Sequence, residues 1–472
     1  MGFLKGLLFT VFFFFSIFGW AETLPDDLAQ EISDIPINKN NYSIYIQPLN
    51  SNIPIASWRT HVKRSPASVM KLLTTYSALL ELGFDYRWET KFYYTGRIRD
   101  GVLRGNLYVK ASGDPTLATK DIDDIVSQVR RAGISKIIGN IVIDRTLFKV
   151  SSKNTSGFDN NTYSPYNAMP DAIMFNKRKS TFCITPHGKR VSISKDVPDK
   201  SYKIINKLHI VNGSCRRGRS WPRVKIQTNS SSRSTIFLTG KLSKRCGKRT
   251  ICKVVSMPHR AFYYTLRDTL DKNGIHMKGS LKLKKVPKSA KYLFTHYSEP
   301  LEDIISTIAK KSDNLMARQV MLTLGTKRFS PPSTIYKSRK AIEKILGRFY
   351  ILEKGTTFIA NGSGLSRSSK ITAKSLANLL NHAAKNYGQR WMNTLSIAGI
   401  DGTIHNRFIN SVVYGRAWMK TGTIKHVKNI AGYVEGATGE LYVVVVLVND
   451  RYAHRYGAML ANRVIEWVAT QL

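Results

Sequence analysis

Val69, Leu72, Leu73, Tyr76, Leu79 and Leu80 recur at helical spacing between Pro66 and Gly83. The pattern predicts a buried helix with proline at its entry and glycine at its exit. Two more periodic stretches predict helices over residues 300–310 and 314–324, the second stopped by Gly325. Near the end the pattern changes. Residues 440–450 hold a continuous apolar run, Tyr442-Val-Val-Val-Val-Leu-Val448, as a strand buried on both faces requires. Residues 430–435 read as its hairpin partner and residues 455–472 as a closing helix over the sheet. Between these outer segments lie short strand-like runs at residues 91–94, 105–110, 135–144, 190–194, 202–211, 223–227 and 234–238. Gly101, Gly113-Asp-Pro115 and Gly139-Asn140 supply turns, and residues 264–273 look helical. The expected architecture is α/β (α+β). An outer domain of residues 22–87 and 295–472 is interrupted by two nested β-rich modules, residues 88–175 with 255–294, and residues 176–254.

Hydrophobic content of 42% and aromatic content of 10% fit a folded chain. Lys5, the apolar residues 7–18 and the small residues in Gly19-Trp-Ala21 predict an export signal over residues 1–21. The apolar run is shorter than the ~20 residues of a spanning helix. The expected location is the periplasm, with at most a loose membrane association. Export changes how Cys183, Cys215, Cys246 and Cys252 are read: two disulfides are expected, with three pairings open. No C-x-x-C pair or histidine cluster supports zinc, and no metal or cofactor is expected.

The formal charge is +42. Residues 176–290 hold 29 Lys and Arg against 4 Asp, a net of +25 in about a quarter of the chain. Such a surface attracts acidic wall polymers or anionic lipid headgroups. Nucleic acid, the first thought for a cytoplasmic basic chain, is not expected for an exported one.

Three short strings carry candidate chemistry: Ser68-Val-Met-Lys71, Ser312-Asp-Asn314 and Lys420-Thr-Gly-Thr423. Ser68 falls at a helix start, where free N–H groups favour developing negative charge. Lys71 is three residues on, over the same face, and a lysine in an apolar, positive pocket gives up its proton more easily. Ser312-Asp-Asn314 is a polar break between two apolar helices. Ser312 can relay a proton to a leaving amine, and Asn314 can hold a peptide bond. Lys420, Thr421 and Thr423, at the end of a strand-like run over residues 414–419, can grip a carboxylate. Gly422 allows close approach, and the backbone N–H groups of Ser68 and Thr423 suit an oxyanion.

In order and chemistry, the strings resemble the penicillin-binding serine acyltransferases, the penicillin-binding/β-lactamase fold type. The chain is similar in particular to the low-molecular-mass class C penicillin-binding proteins, the D-alanyl-D-alanine carboxypeptidase/endopeptidase group. Ser65-Pro-Ala-Ser68, Gly113-Asp-Pro-Thr-Leu117, Asn361-Gly-Ser-Gly-Leu-Ser366, Ala398-Gly-Ile-Asp-Gly-Thr403 and Ala431-Gly-Tyr433 carry the likeness, with the 244-residue separation of Ser68 and Ser312. The resemblance implies an acyl-enzyme on Ser68, peptidoglycan peptides ending in D-Ala-D-Ala as substrates, and β-lactams as covalent inhibitors. Two departures stand out. Asn361 occupies a position where the family usually has Asp. In many members an acidic residue of the inserted domain meets the amino end of the wall peptide's side chain. Here Gly157-Phe-Asp-Asn-Asn-Thr162 offers Asp159, although alignment favours Asn161.

Overall fold

Both outer segments of the chain contribute to one antiparallel sheet, in the order Ser396–Ile397, Ala417–Ile424, Val427–Glu435, Leu441–Asn449, Tyr42–Pro48 and Ala56–Trp58. The computed structural model describes residues 22–151, 155–216, 219–229 and 233–472. The expected export signal, residues 1–21, lies outside them. Tyr45 pairs with Val445, so one of the first strands lies beside one of the last. Every residue from Tyr442 to Val448 is buried. Val443, Val445 and Leu447 share a core with the helices Lys71–Leu82, Asn314–Arg328 and Ala373–Met392, the last of which packs on the strand, while Val444, Val446 and Val448 share a core with the closing helix Ala453–Gln471. Two covered faces are what the unbroken valine run demands.

Two expectations change here. The helix Asn314–Arg328 runs through Gly325 instead of stopping there. A Cβ at Gly325 would come within 2.1 Å of Ser333 Oγ and 2.5 Å of Ser338 Oγ, so this glycine serves close packing rather than termination. Lys420 to Thr423 do not follow a strand; they lie inside Ala417–Ile424.

The interval between the first two motifs folds into further sheets. A five-stranded sheet, Leu281–Leu283, Ile141–Asp144, Leu107–Lys110, Glu89–Tyr94 and Lys291–Tyr297, shares a core with the helices Ile122–Arg131 and Pro258–Lys272. A four-stranded sheet, His276–Met277, Lys136–Ile137, Val102–Arg104 and Arg97–Arg99, lies beside it. Residues 135–144 thus form two strands in different sheets, split at the Gly139-Asn140 turn. Residues 180–253 make two three-stranded sheets around Phe182, Ile184, Ile236, Leu238 and Leu242.

Cys215 and Cys246 are bonded, whereas Cys183 and Cys252 are free thiols, so only one of the two expected disulfides forms. On neighbouring strands Cys183 lies opposite Thr250 and Cys252 opposite Thr181. The thiols are therefore diagonal neighbours, and diagonal Cα atoms stand about 7–8 Å apart, beyond ordinary disulfide reach. Among the described residues, no helix is long and apolar enough to cross a membrane.

Candidate active site

Ser68 sits half-buried in a 3₁₀ turn, Ala67–Met70, that leads directly into the helix Lys71–Leu82. The segment before it is clamped by two strand amides. Asn429 Nδ2 donates to Ser65 O at 2.9 Å and Pro66 O at 3.0 Å, and its Oδ1 accepts from Val448 N at 2.9 Å. Asn449 Oδ1 accepts from Ser65 N at 2.7 Å. Two glycines let backbone close in on the turn. A Cβ on Gly422 would lie 2.7 Å from Pro66 O and 3.0 Å from Ser68 N, and one on Gly364 would lie 1.7 Å from Ala67 O. Ala67 and Ser312 both adopt left-handed backbone, φ 46° and 52°. Strain of this kind collects where surrounding structure over-determines the backbone, commonly at active sites.

Lys71 Nζ donates to Ser68 Oγ at 2.9 Å, to Asn314 Oδ1 at 2.6 Å and to Ser363 O at 2.6 Å. The side chain is fully buried. Burial first, then the charges of Lys420 and Arg318, push its pKa well below the usual lysine range, against an opposing pull from Asp313. Lys420, also fully buried, donates to Ser312 Oγ at 3.1 Å and to Thr421 O at 2.9 Å. Burial lowers its pKa to about 7. The three strings therefore converge: Ser68, Lys71 and Asn314 form one hydrogen-bonded group, and Ser312 with Lys420 forms the next. Thr421 Oγ1 donates to Thr403 Oγ1 at 2.8 Å, which ties the strand to the turn Gly402–Ile404, and Thr423 is exposed farther along the strand.

Several supporting residues lie outside the three strings. Asp313 caps the helix Asn314–Arg328, accepting from Leu315 N and Met316 N at 3.0 Å each. Its other oxygen meets Lys177 Nζ at 3.1 Å. Lys177 is the middle of three consecutive left-handed residues, Asn176, Lys177 and Arg178, with φ of 48°, 49° and 59°. Asn176 is tied by its side chain to Thr119, and Arg178 NH1 donates to Met169 O. This anchored turn brings a cation from the inserted segment to the second motif. Asn361 Oδ1 accepts from Ser363 N and Oγ, and its Nδ2 donates to Leu365 O at 2.9 Å. It thus shapes the loop whose Ser363 carbonyl receives Lys71, and an aspartate there lacks the donor to Leu365.

Asp159 belongs to a separate loop. It accepts from Tyr166 OH at 2.8 Å, Asn161 N at 2.9 Å and Asn167 Nδ2 at 2.6 Å. Burial alone would raise its pKa, but these hydrogen bonds outweigh it and lower the value. None of its hydrogen bonds reaches the three motifs. Its neighbour Phe158 lies 5.2 Å beneath the guanidinium of Arg367, close in sequence to Ser363.

Residues 24–470 match the model of the D-Ala-D-Ala carboxypeptidase 3 (S13) family. A D-alanyl-D-alanine carboxypeptidase DacB from Haemophilus influenzae is 26% identical over 440 residues, which are 92% of this chain and 90% of the relative. The crystal structure of penicillin binding protein 4 (dacB) from Haemophilus influenzae aligns with a TM-score of 0.76 at 26% identity, covering 90% of this chain and 93% of that one. The same relative complexed with a novel β-lactam aligns with a TM-score of 0.73 at 25% identity, with the same coverage of both chains. A family model that spans the described chain almost end to end, with the folded likeness and the converging serine, lysines and asparagine, leads to one conclusion: the chain belongs to the D-Ala-D-Ala carboxypeptidase 3 (S13) family.

Proposed function

We propose that Ser68 is the nucleophile through which this serine D-Ala-D-Ala carboxypeptidase cleaves peptidoglycan peptides. One observation carries the assignment: a fully buried amine with a depressed pKa lies 2.9 Å from the Ser68 oxygen, within reach of its proton. Neutral Lys71 takes the Ser68 proton as Oγ attacks the carbonyl between the two D-Ala residues. The N–H groups of Ser68 and Thr423 stabilise the oxyanion. Ser312 relays a proton: it gives its own to the leaving D-Ala amine as the C–N bond breaks and takes another from Lys420, which donates to it. Lys420, Thr421 and Thr423, with Gly422 keeping the strand open to close approach, grip the terminal carboxylate. Asn314 holds the substrate's peptide bond and one of Lys71's hydrogen bonds. Water then attacks the acyl-enzyme and frees the shortened peptide. Attack on a cross-link is the endopeptidase version of the same steps, and β-lactams acylate Ser68 in place of substrate.

In this reading, residues 22–87 and 295–472 form the peptidase domain. Residues 88–175 with 255–294, and the nested residues 176–254, form the inserted domains. Asp159, an ionised carboxylate at the edge of the inserted region, receives the amino end of the wall peptide's side chain. Residues 1–21 direct export to the periplasm, and the charge of +42 supports contact with an acidic wall polymer or an anionic membrane surface.

Mass spectrometry after incubation with penicillin tests the nucleophile. A single adduct is expected on the Ser68 peptide, absent in Ser68→Ala. Labelling at another residue would overturn the assignment. Release of D-Ala from a pentapeptide, lost in the same variant, then separates turnover from binding alone.

A further inference from the structure

The helix Pro258–Lys272 turns Arg260, Tyr263, Tyr264 and Arg267 to one side, at spacings of three and four residues. These side chains line a cleft of about 490 Å³, together with Lys200 and Arg233 from residues 176–254. Four cations thus line one recess. No aspartate or glutamate is among its lining residues. Of the carboxylates next in sequence, Asp268 pairs with Lys272 at 2.7 Å, and Asp199 is buried and accepts from Ser201 N at 2.7 Å. Arg267 is held in place, donating to Tyr263 OH at 2.9 Å and to the carbonyls of Gly279 and Met277. Among the described residues, no ion pair engages Arg260, Arg233 or Lys200. Like charges gathered in one recess are poorly screened, and an entering anion relieves their repulsion.

The arrangement also selects the kind of anion. The cations come from two separate segments, residues 200–233 and the helix Pro258–Lys272, and a ligand that engages both needs several oxygens. A tetrahedral phosphate offers more of them, in more directions, than a planar carboxylate does. Guanidinium forks match phosphate oxygens in pairs. Tyr263 OH accepts from Arg267, which leaves its own proton free for the ligand.

We propose that this cleft, remote in sequence from the three motifs, binds a phosphate group, carried either by a soluble phosphate or by a lipid headgroup. The proposal does not depend on the peptidase chemistry. Titration calorimetry of the full chain with sodium phosphate, at constant ionic strength, is the test. Wild-type protein should bind phosphate saturably and acetate not at all. Arg233→Gln with Arg260→Gln should weaken phosphate binding by about tenfold or more. Lys203→Gln with Lys225→Gln removes the same charge from exposed strand positions and should leave it unchanged. Melting temperatures check that both variants fold. Vesicles of phosphatidylglycerol and phosphatidylcholine separate the sources. Loss of phosphatidylglycerol binding in the arginine variant, but not in the lysine control, assigns the headgroup. Equal vesicle binding by both variants, with phosphate binding lost only in the arginine variant, assigns the soluble ligand. Phosphate binding untouched by the arginine changes, or weakened as much by the lysine control, or matched by acetate, overturns the proposal.

Discussion

Asn314→Asp is a sharp probe of the proposed proton transfer because it changes one atom type beside Lys71. Lys71 Nζ lies 2.6 Å from Asn314 Oδ1, so the new carboxylate oxygen falls within contact of the amine. At an effective dielectric of about 20, opposite unit charges at that separation attract by about 6 kcal/mol. Removing the carboxylate from water takes back roughly half of that, which leaves about 3 kcal/mol in favour of the protonated amine. That bias is about a hundredfold in the neutral fraction wherever wild-type Lys71 is deprotonated. The sign follows from the role. A base must be neutral, so a stabilised ammonium lowers acylation near neutral pH, and the rate recovers as pH rises. The assay is the second-order rate of labelling by a fluorescent penicillin between about pH 5 and pH 10, where a general base reveals itself as an acid limb. Asn314→Ala is the control: it removes an acceptor of the Lys71 amine without adding charge, so its limb should not move to higher pH. An Asp variant whose limb coincides with wild type would refute Lys71 as the base.

Three further outcomes are expected. Lys71 faces Lys420, Arg318 and Asp313, and Lys177 neutralises Asp313 from outside; Lys177→Met therefore turns more of the Asp313 field on Lys71. Acylation below the limb should fall about threefold to tenfold and the limb should move to higher pH, with Lys177→Arg restoring both; a uniform loss at all pH would mean a purely structural role. Lys420→Met should stabilise the fold most at low pH. The folded value of about 7 lies below the unfolded 10.5, so the unfolded chain gains a proton that the folded chain refuses as pH falls through that window. The wild-type penalty is complete below about pH 7 and absent above the unfolded value, and melting curves in which the variant gains more at high pH than at low pH would contradict it. Denatured without reductant, the protein should expose two reactive thiols, Cys183 and Cys252; a count of zero would show a second bridge.

What the sequence revealed depended on how local the cause was. The valine run at residues 443–446 is a strand because both its faces are covered, and that requirement is written in the run itself. The three motifs were legible because each is a short string whose chemistry needs neighbours in sequence, Ser68 with Lys71 above all. Residues 135–144 were harder, since a turn inside an apolar stretch sends its two halves to different sheets. Gly325 was misread because a glycine near the end of a periodic run looks the same whether it ends a helix or admits another one.

The parts that sequence hid act at long range, and they decide whether the motifs function. Asn429 and Asn449 stand more than 350 positions from Ser65, in a hairpin whose pattern announces only apolar burial, yet their amides hold the chain just before Ser68. A buried asparagine costs desolvation unless its donors and acceptors are met, and Asn429 meets Ser65 O, Pro66 O and Val448 N at once. Lys177 is equally silent in a lysine-rich stretch; only three consecutive left-handed residues single it out, and backbone conformation is not written in residue type. Placing the Ser68 hydroxyl 2.9 Å from the Lys71 amine therefore takes two kinds of information. The motif side chains follow from a local code, and the clamps that fix their geometry follow from the assembled sheet.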